Sequence, residues 1–266
     1  MVMPGMFDMA VKDGGGAVYW GQADLSVDGS NIAGVTVALQ PGMTVTGKVT
    51  FNGTRLVPNP DLSRVNLILS PVQTAGANRV TMGIPMAQVS ADGQFRITGV
   101  TPGRYRISGV APVAPGSPPG GGWTLASAIL KGRDVLDFPI DIAPNDEING
   151  AVVTFTDSAQ EVNGSLQDAS GRPAPDYTIV VFSADKSYWT TPTRRSRSTR
   201  PGTDGRFTIG NLPPGEYRIA ALVDVAPGDI NEPSFLEQLV AASVKFTLAE
   251  GERKTQDLKI AGGGGL

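Results

Sequence analysis

Two stretches of this chain are near copies of one another, and that repetition limits what the chain can fold into. Residues 92–110 read DGQFRITGVTPGRYRISGV and residues 204–222 read DGRFTIGNLPPGEYRIAAL, a spacing of 112 without a gap. The copies share Asp92/Asp204, Gly93/Gly205, Phe95/Phe207, Ile97/Ile209, Pro102/Pro214, Gly103/Gly215, Tyr105/Tyr217, Arg106/Arg218 and Ile107/Ile219. Asp-Gly supplies a turn, because glycine accepts positive φ and aspartate hydrogen-bonds its own backbone. Phe-x-Ile alternates, so both side chains point to one face of a strand. Pro-Gly makes a second turn. Tyr-Arg-Ile alternates again, which sets Tyr and Ile inward and Arg toward solvent. The pattern predicts a β-hairpin written twice, and none of its residues is a nucleophile beside a base.

A second echo orders the chain. WGQADLSVDGSN (20–31) lines up with WTLASAILKGRD (123–134), each an apolar strand followed by a turn at Asp28-Gly29 or Lys131-Gly132. GVTVALQPGMTVTG, from Gly34, then resembles GAVVTFTDSAQEVNG, from Gly150, with one residue more in the second copy. FPIDIAPNDEI (138–148) has no counterpart in the first. Three segments are therefore expected. Residues 1–43 are the closing strands of a repeat whose first half is missing. Residues 44–156 are a complete repeat, opening at the MTVTGKVTF stretch. Residues 157–266 are a second, opening with EVNGSLQD and closing with ASVKFTLAEGERKTQDLKI. Ladders such as Val45/Gly47/Val49, Val65/Leu67/Leu69 and Ile179/Val181 have a period of two, the mark of strands with one buried face. PSFLEQLV (233–240) is the one stretch with a turn of helix in it. The expected fold is all-β, sandwiches in tandem with an N-terminal β segment.

Composition narrows the chemistry. Among 266 residues there are 34 Gly and 21 Pro, spread along the chain as turns between short strands. The net charge of −3 argues against a general nucleic-acid or anionic-membrane binder. There is no His and no Cys. Their absence excludes the usual zinc ligands and imidazole-based nucleophilic catalysis, and leaves no disulfides. Hydrolases built on paired carboxylates are left open. No run approaches a membrane span. The opening MVMPGMFDMA has neither the basic nor the apolar region of a secretory signal, so it reads as an internal point of a longer protein. APVAPGSPPGGGW (111–123) and AGGGGL (261–266) read as loose segments, the latter as a linker remnant.

The least strand-like stretch is KSYWTTPTRRSRSTRPG (186–202). Tyr188 and Trp189 could stack on a sugar ring or a partner surface, while Arg194, Arg195 and Arg197 pair with carboxylates or sulfates. The competing reading is a solvated loop whose Trp folds back over the sandwich edge. Asp28–Asn31 and Asp224–Glu232 gather oxygens, but neither has EF-hand spacing, and turn chemistry accounts for both. Trp20 and Trp123 recur as packing anchors. No cofactor or metal is expected. Val35, Val37 and Leu39 present an apolar face with no complete domain of their own. Burying each is worth about 1.5–3 kcal/mol, and exposed strand edges invite pairing. Either this segment packs along the first full repeat or it augments a sheet in another copy; these three are the candidate assembly residues, placed head to tail against a neighbour.

GSLQDASGRPAP (164–175), a β-rich middle, and then DGRFTIGNLPPGEYRIAAL resemble a carboxypeptidase regulatory-like domain. The resemblance covers the second full repeat. The first matches at MTVTGKVTF and DGQFRITGVTPGRYRISGV but lacks a clear D-x-x-G-x-P. It implies tandem transthyretin-like, immunoglobulin-like β-sandwiches of the kind strung along secreted or surface proteins of Gram-negative bacteria. It also implies a non-enzymatic role, because this module carries neither zinc ligands nor catalysis in metallocarboxypeptidases. The expectation is an extracellular or periplasmic structural module, a spacer or a subunit of a surface fibre, that associates with itself or with neighbouring domains. The alternative is an accessory module that binds a polysaccharide or peptide through the 186–202 loop.

Overall fold

Apart from local hairpins, β-strand pairing in this chain joins segments that lie far apart in sequence. The computed structural model describes residues 3–27, 29, 31–72, 84–117, 122–158, 160–190 and 193–260. The chain divides into two units, Met1–Asp157 and Ser158–Leu266.

The first unit opens with a long hairpin of β1 (Met3–Lys12) and β2 (Val18–Val27). The short β3 (Gln40–Pro41) pairs with the start of β2 at Tyr19 and Trp20. Then follow β4 (Met43–Asn52), β5 (Asn66–Pro71), β6 (Gln88–Val89), β7 (Gln94–Val100), β8 (Gly103–Val110), β9 (Thr124–Leu130), β10 (Arg133–Asp134), β11 (Ile140–Ile142) and β12 (Ile148–Thr156). They form two sheets, ordered β10-β9-β12-β4-β7-β6 and β11-β8-β5. Val45, Ile97 and Phe155 from the first sheet share one core with Leu67, Leu69 and Tyr105 from the second. This is the sandwich that period-two patterning calls for.

The second unit holds β13 (Glu161–Gln167), β14 (Thr178–Ser183), β15 (Arg197–Thr199), β16 (Arg206–Gly210), β17 (Gly215–Leu222), α1 (Pro233–Leu239), β18 (Val244–Leu248), β19 (Arg253–Thr255) and β20 (Leu258–Lys259). Its sheets run β16-β13-β19, with β20 continuing along β13, and β15-β14-β17-β18. The central pairings match those of the first unit. β4 lies between antiparallel β7 and parallel β12, as β13 lies between antiparallel β16 and parallel β19–β20. β8 lies between β5 and β11, as β17 lies between β14 and β18. The edges differ. β9 and β10 flank β12 in the first unit, whereas among the described residues no strand flanks β19–β20.

The duplicated stretch is not a hairpin. In both copies its two strands go to opposite sheets, β7 and β16 beside β4 and β13, β8 and β17 beside β5 and β14. The Pro-Gly turn is a corner between layers. The corner is tied by tyrosine: the Tyr217 hydroxyl donates to Pro213 O at 2.6 Å, and the Tyr105 hydroxyl to Thr101 O at 2.9 Å. Nor do the arginines point only into solvent. Arg106 Nη1 donates to Leu136 O and Asp137 O, and Arg218 Nη1 donates to Val240 O and Ser243 Oγ. Each half-buried guanidinium therefore ties its strand to a distant turn. Gly93 and Gly205 adopt φ of 84° and 78°, as the Asp-Gly turn requires.

Parallel pairing at the end of each unit needs a residue without a side chain. A Cβ on Gly164 would overlap Gln256 O, and one on Gly47 would overlap Ala151 O and the Phe95 ring. Gly164→Ala should therefore push β19–β20 off β13 and cost about 2 kcal/mol. A melt of the variant within a degree of wild type would show that the strands absorb the methyl.

Candidate functional site

Two regions compete for a functional role, and their geometry differs. In the 186–202 loop, Asp185 starts a turn of 3-10 helix at Lys186–Tyr188 by accepting the Ser187 N–H at 2.9 Å. That bond holds the Asp185 carboxyl below its ordinary range. The turn directs Trp189 inward, where it is 7% exposed. Trp189 packs in a cluster with Val180, Phe182, Leu222, Leu236 and Leu239, and its indole N–H donates to Ser183 O at 2.8 Å. The ring is built into the interior, with neither face open for stacking on a ligand. Tyr188 is half-buried under the Arg195 guanidinium, 4.2 Å from the ring centroid. Arg195 also donates to Pro214 O at 3.0 Å, which pins it to the corner turn. Arg197 donates to Ser196 O and Thr193 O, and Arg194 is half-buried. Lys186 reaches across to Glu237 of α1 at 2.6 Å. The loop thus works as a strap over the second unit.

The N-terminal region is the opposite case. The sequence echo equates residues 34–39 with the start of β12, yet residues 31–39 form no strand. β12 is a strand because β4 and β9 lie on either side of it. Residues 31–39 have neither neighbour, and among the described residues none of their backbone groups enters a hydrogen bond within the chain. Val37 closes over Gly21 of β2, while Val35 and Leu39 are 44% and 46% exposed. β2 is paired along its whole length with β1 but, among the described residues, on its other side only at Val18, Tyr19 and Trp20. Trp20 anchors the ribbon in the first core, and Trp123 lies in the same core, edge-on to Phe51. A cavity of about 620 Å³ lies beside the hairpin turn, lined by Lys12, Gly16, Met86, Thr98 and Tyr105 among others.

Sequence reasoning missed one strongly held group. Asp157, 4% exposed, accepts the backbone N–H groups of Thr54, Arg55 and Leu56, the last two at 2.6 Å, and the Thr54 hydroxyl at 3.2 Å. Burial pushes its carboxyl up, but these donors outweigh it and hold the group well below the usual carboxylate range. The arrangement locks the exit of β12 to the loop after β4. The partners lie about a hundred residues away, so no local spacing announced them. Of the two loops read as oxygen-rich turns, the structure describes the second. Asp229 accepts the Ala226 N–H at 2.8 Å, a turn bond, while Asp28 and Ser30 lie outside the described residues, as does the 261–266 tail. Among the described residues, no group of three or more acidic side chains is placed to hold a metal ion.

Residues 161–260 match the carboxypeptidase regulatory-like domain family. A 51-residue segment is 41% identical to the rhamnogalacturonate lyase of Dickeya dadantii (strain 3937), covering 19% of this chain and 9% of that protein. Among solved structures, the minor pilin of Streptococcus agalactiae aligns over 82% of this chain and 94% of its own at 13% identity and a TM-score of 0.31. The shaft pilin SpaA of Lactobacillus rhamnosus GG aligns over 83% and 98% at 10% identity and a TM-score of 0.29. A variant of the major pilin of Bacillus cereus aligns over 98% and 94% at 12% identity and a TM-score of 0.29. Likeness at this level transfers no role.

Proposed function

We propose, for a chain whose residues 161–260 belong to the carboxypeptidase regulatory-like domain family, that it is a non-enzymatic structural module which assembles with other copies or neighbouring domains through its N-terminal β segment. The observation that carries this reading is the N-terminal ribbon, with a ten-residue edge strand in β1 and, among the described residues, most of one side of β2 unpaired and nine further residues outside any ladder. Unpaired backbone beside exposed Ile32, Val35 and Leu39 is the kind of surface that another strand covers. Residues 1–43 are then closing strands that find their missing neighbours in the next module. The reading implies a spacer or fibre unit outside the cytoplasm or in the periplasm, and without cysteine such a unit relies on packing alone.

The test is light scattering after gel filtration, over a concentration series, on the full chain and on residues 44–266. Concentration-dependent oligomers are expected from the full chain and monomers from the truncated one. Deleting residues 1–43 removes Trp20 from the first core, so a thermal melt accompanies the truncation. Equal assembly by both chains would remove the N-terminal segment from the argument.

A further inference from the structure

The second unit has an open place where the first has a strand. β19–β20 runs parallel to β13 as β12 runs parallel to β4, but among the described residues only β12 is covered on its far side, by antiparallel β9. The backbone of β19–β20 points outward at alternate residues. Gln256 N and Ile260 N donate to Asn163 O and Gln167 O of β13, and Glu252 O accepts from Glu161 N. Alternation then turns the N–H and C=O groups of Arg253, Thr255, Asp257 and Lys259 away from the sheet.

The strand that echoes β9 in sequence is β2. Its Val18 O accepts from Gly42 N, so Gln22, Asp24 and Ser26 offer their backbone groups on that same side. Among the described residues that side has no strand partner beyond Trp20. We propose that β2 of one copy pairs antiparallel with β19–β20 of another, taking the place that β9 holds beside β12. The pairing rests on the assembly reading above and names the surface that accepts the ribbon.

The register follows from the structure. Val153 lies opposite Val49, two residues beyond the Gly47/Ala151 contact. Leu258 lies opposite Leu166, two residues beyond Gly164, so Leu258 holds the position of Val153. In the first unit Ala128 of β9 faces Val153, and Ser127 faces Thr154. The echo that aligns Trp20 with Trp123 sets Leu25 in place of Ala128 and Asp24 in place of Ser127. Leu25 therefore meets Leu258, and Asp24 meets Lys259. Charge agrees with this choice of partner. Residues 3–27 carry Asp8, Asp13 and Asp24 against the single Lys12, whereas residues 253–259 carry Arg253, Lys254 and Lys259 against the single Asp257. The two surfaces differ from one another, so the contact is heterologous and joins copies head to tail, in a ring or an open chain according to the rotation between them.

The absence of cysteine makes the register directly testable. Equimolar Asp24→Cys and Lys259→Cys chains, mixed and oxidised, should yield disulfide-linked heterodimers. Asp24→Lys and Lys259→Asp should each weaken association about fivefold in sedimentation at low salt, and mixing the two charge-swapped variants should restore it. Wild-type assembly without the cross-link and insensitive to both charge changes would overturn this pairing while leaving the assembly reading intact. A doubly substituted Asp24→Cys/Lys259→Cys chain that closes on itself at every dilution would overturn pairing between copies. A full chain that stays monomeric at all concentrations would end both.

Discussion

Trp189→Ala should unfold the second unit about 15–25 °C earlier than wild type. The side chain is large and almost wholly buried, and it sits where β14, β17 and α1 meet. Removing an aromatic side chain from such a position costs about 3–5 kcal/mol in lost burial and residual cavity. The Ser183 carbonyl loses its indole donor as well. A domain of this size shifts its melting point by several degrees per kcal/mol, which gives the stated range. Calorimetry on the full chain checks it, because the transition of the first unit serves as an internal reference. A variant that melts normally would mean that the ring is dispensable to the fold, and would return Trp189 to the list of candidate ligand contacts.

Asp157→Ala should destabilise the first unit by about 3 kcal/mol and flatten its response to acid. Three backbone N–H groups converge on this carboxylate, and charge-assisted bonds of this kind are each worth more than neutral ones. Water replaces the carboxylate at exposed Thr54 and Arg55 but poorly at buried Leu56. The direction of the pH effect follows from the depressed carboxyl pKa. A folded value below the unfolded value of about 3.9 means that the stabilisation is fully present above that pH. It is lost as pH falls from there toward the folded value. Wild-type stability of this unit should thus drop below about pH 4, and the variant should start lower and fall less. Parallel acid titrations of the two proteins by circular dichroism decide the matter. Equal slopes would mean that other carboxylates carry the acid transition.

Alternation made the buried faces legible from the sequence, and the structure buries Phe95, Ile97, Tyr105 and Phe207, Ile209, Tyr217 together with them. It did not reveal which strand lies beside which. A Pro-Gly turn between two alternating runs fits a hairpin and a corner between layers equally well, because both keep the same residues inward. What separates them is pairing at long range, with β4 and β5 in one copy and β13 and β14 in the other. Arg106 and Arg218 were misjudged for the same reason, since their carbonyl partners at Leu136 and Val240 come from distant turns. The loop with Trp189 looked polar because its five neighbouring cations dominate the composition, while the one residue that fixes the loop is the apolar one facing in. The open edge at 253–259 left a trace, the charged run RKTQDLK, although charge alone does not separate an edge strand from a loop.

The strand that opens each sandwich and the strand that closes it are parallel neighbours, β4 with β12 and β13 with β19–β20. This has a mechanical consequence. The chain enters at the start of one strand and leaves at the end of the other, and these points lie at opposite ends of the shared ladder. Tension drawn through a unit therefore tries to slide the two strands along each other, so all their hydrogen bonds resist together instead of opening one after another. The longer ladder of the first unit would bear more load than the broken one of the second, where β19 and β20 are separate short strands. A string of such modules under pull would yield first at its C-terminal unit, with Asp157 still clamped to the loop after β4.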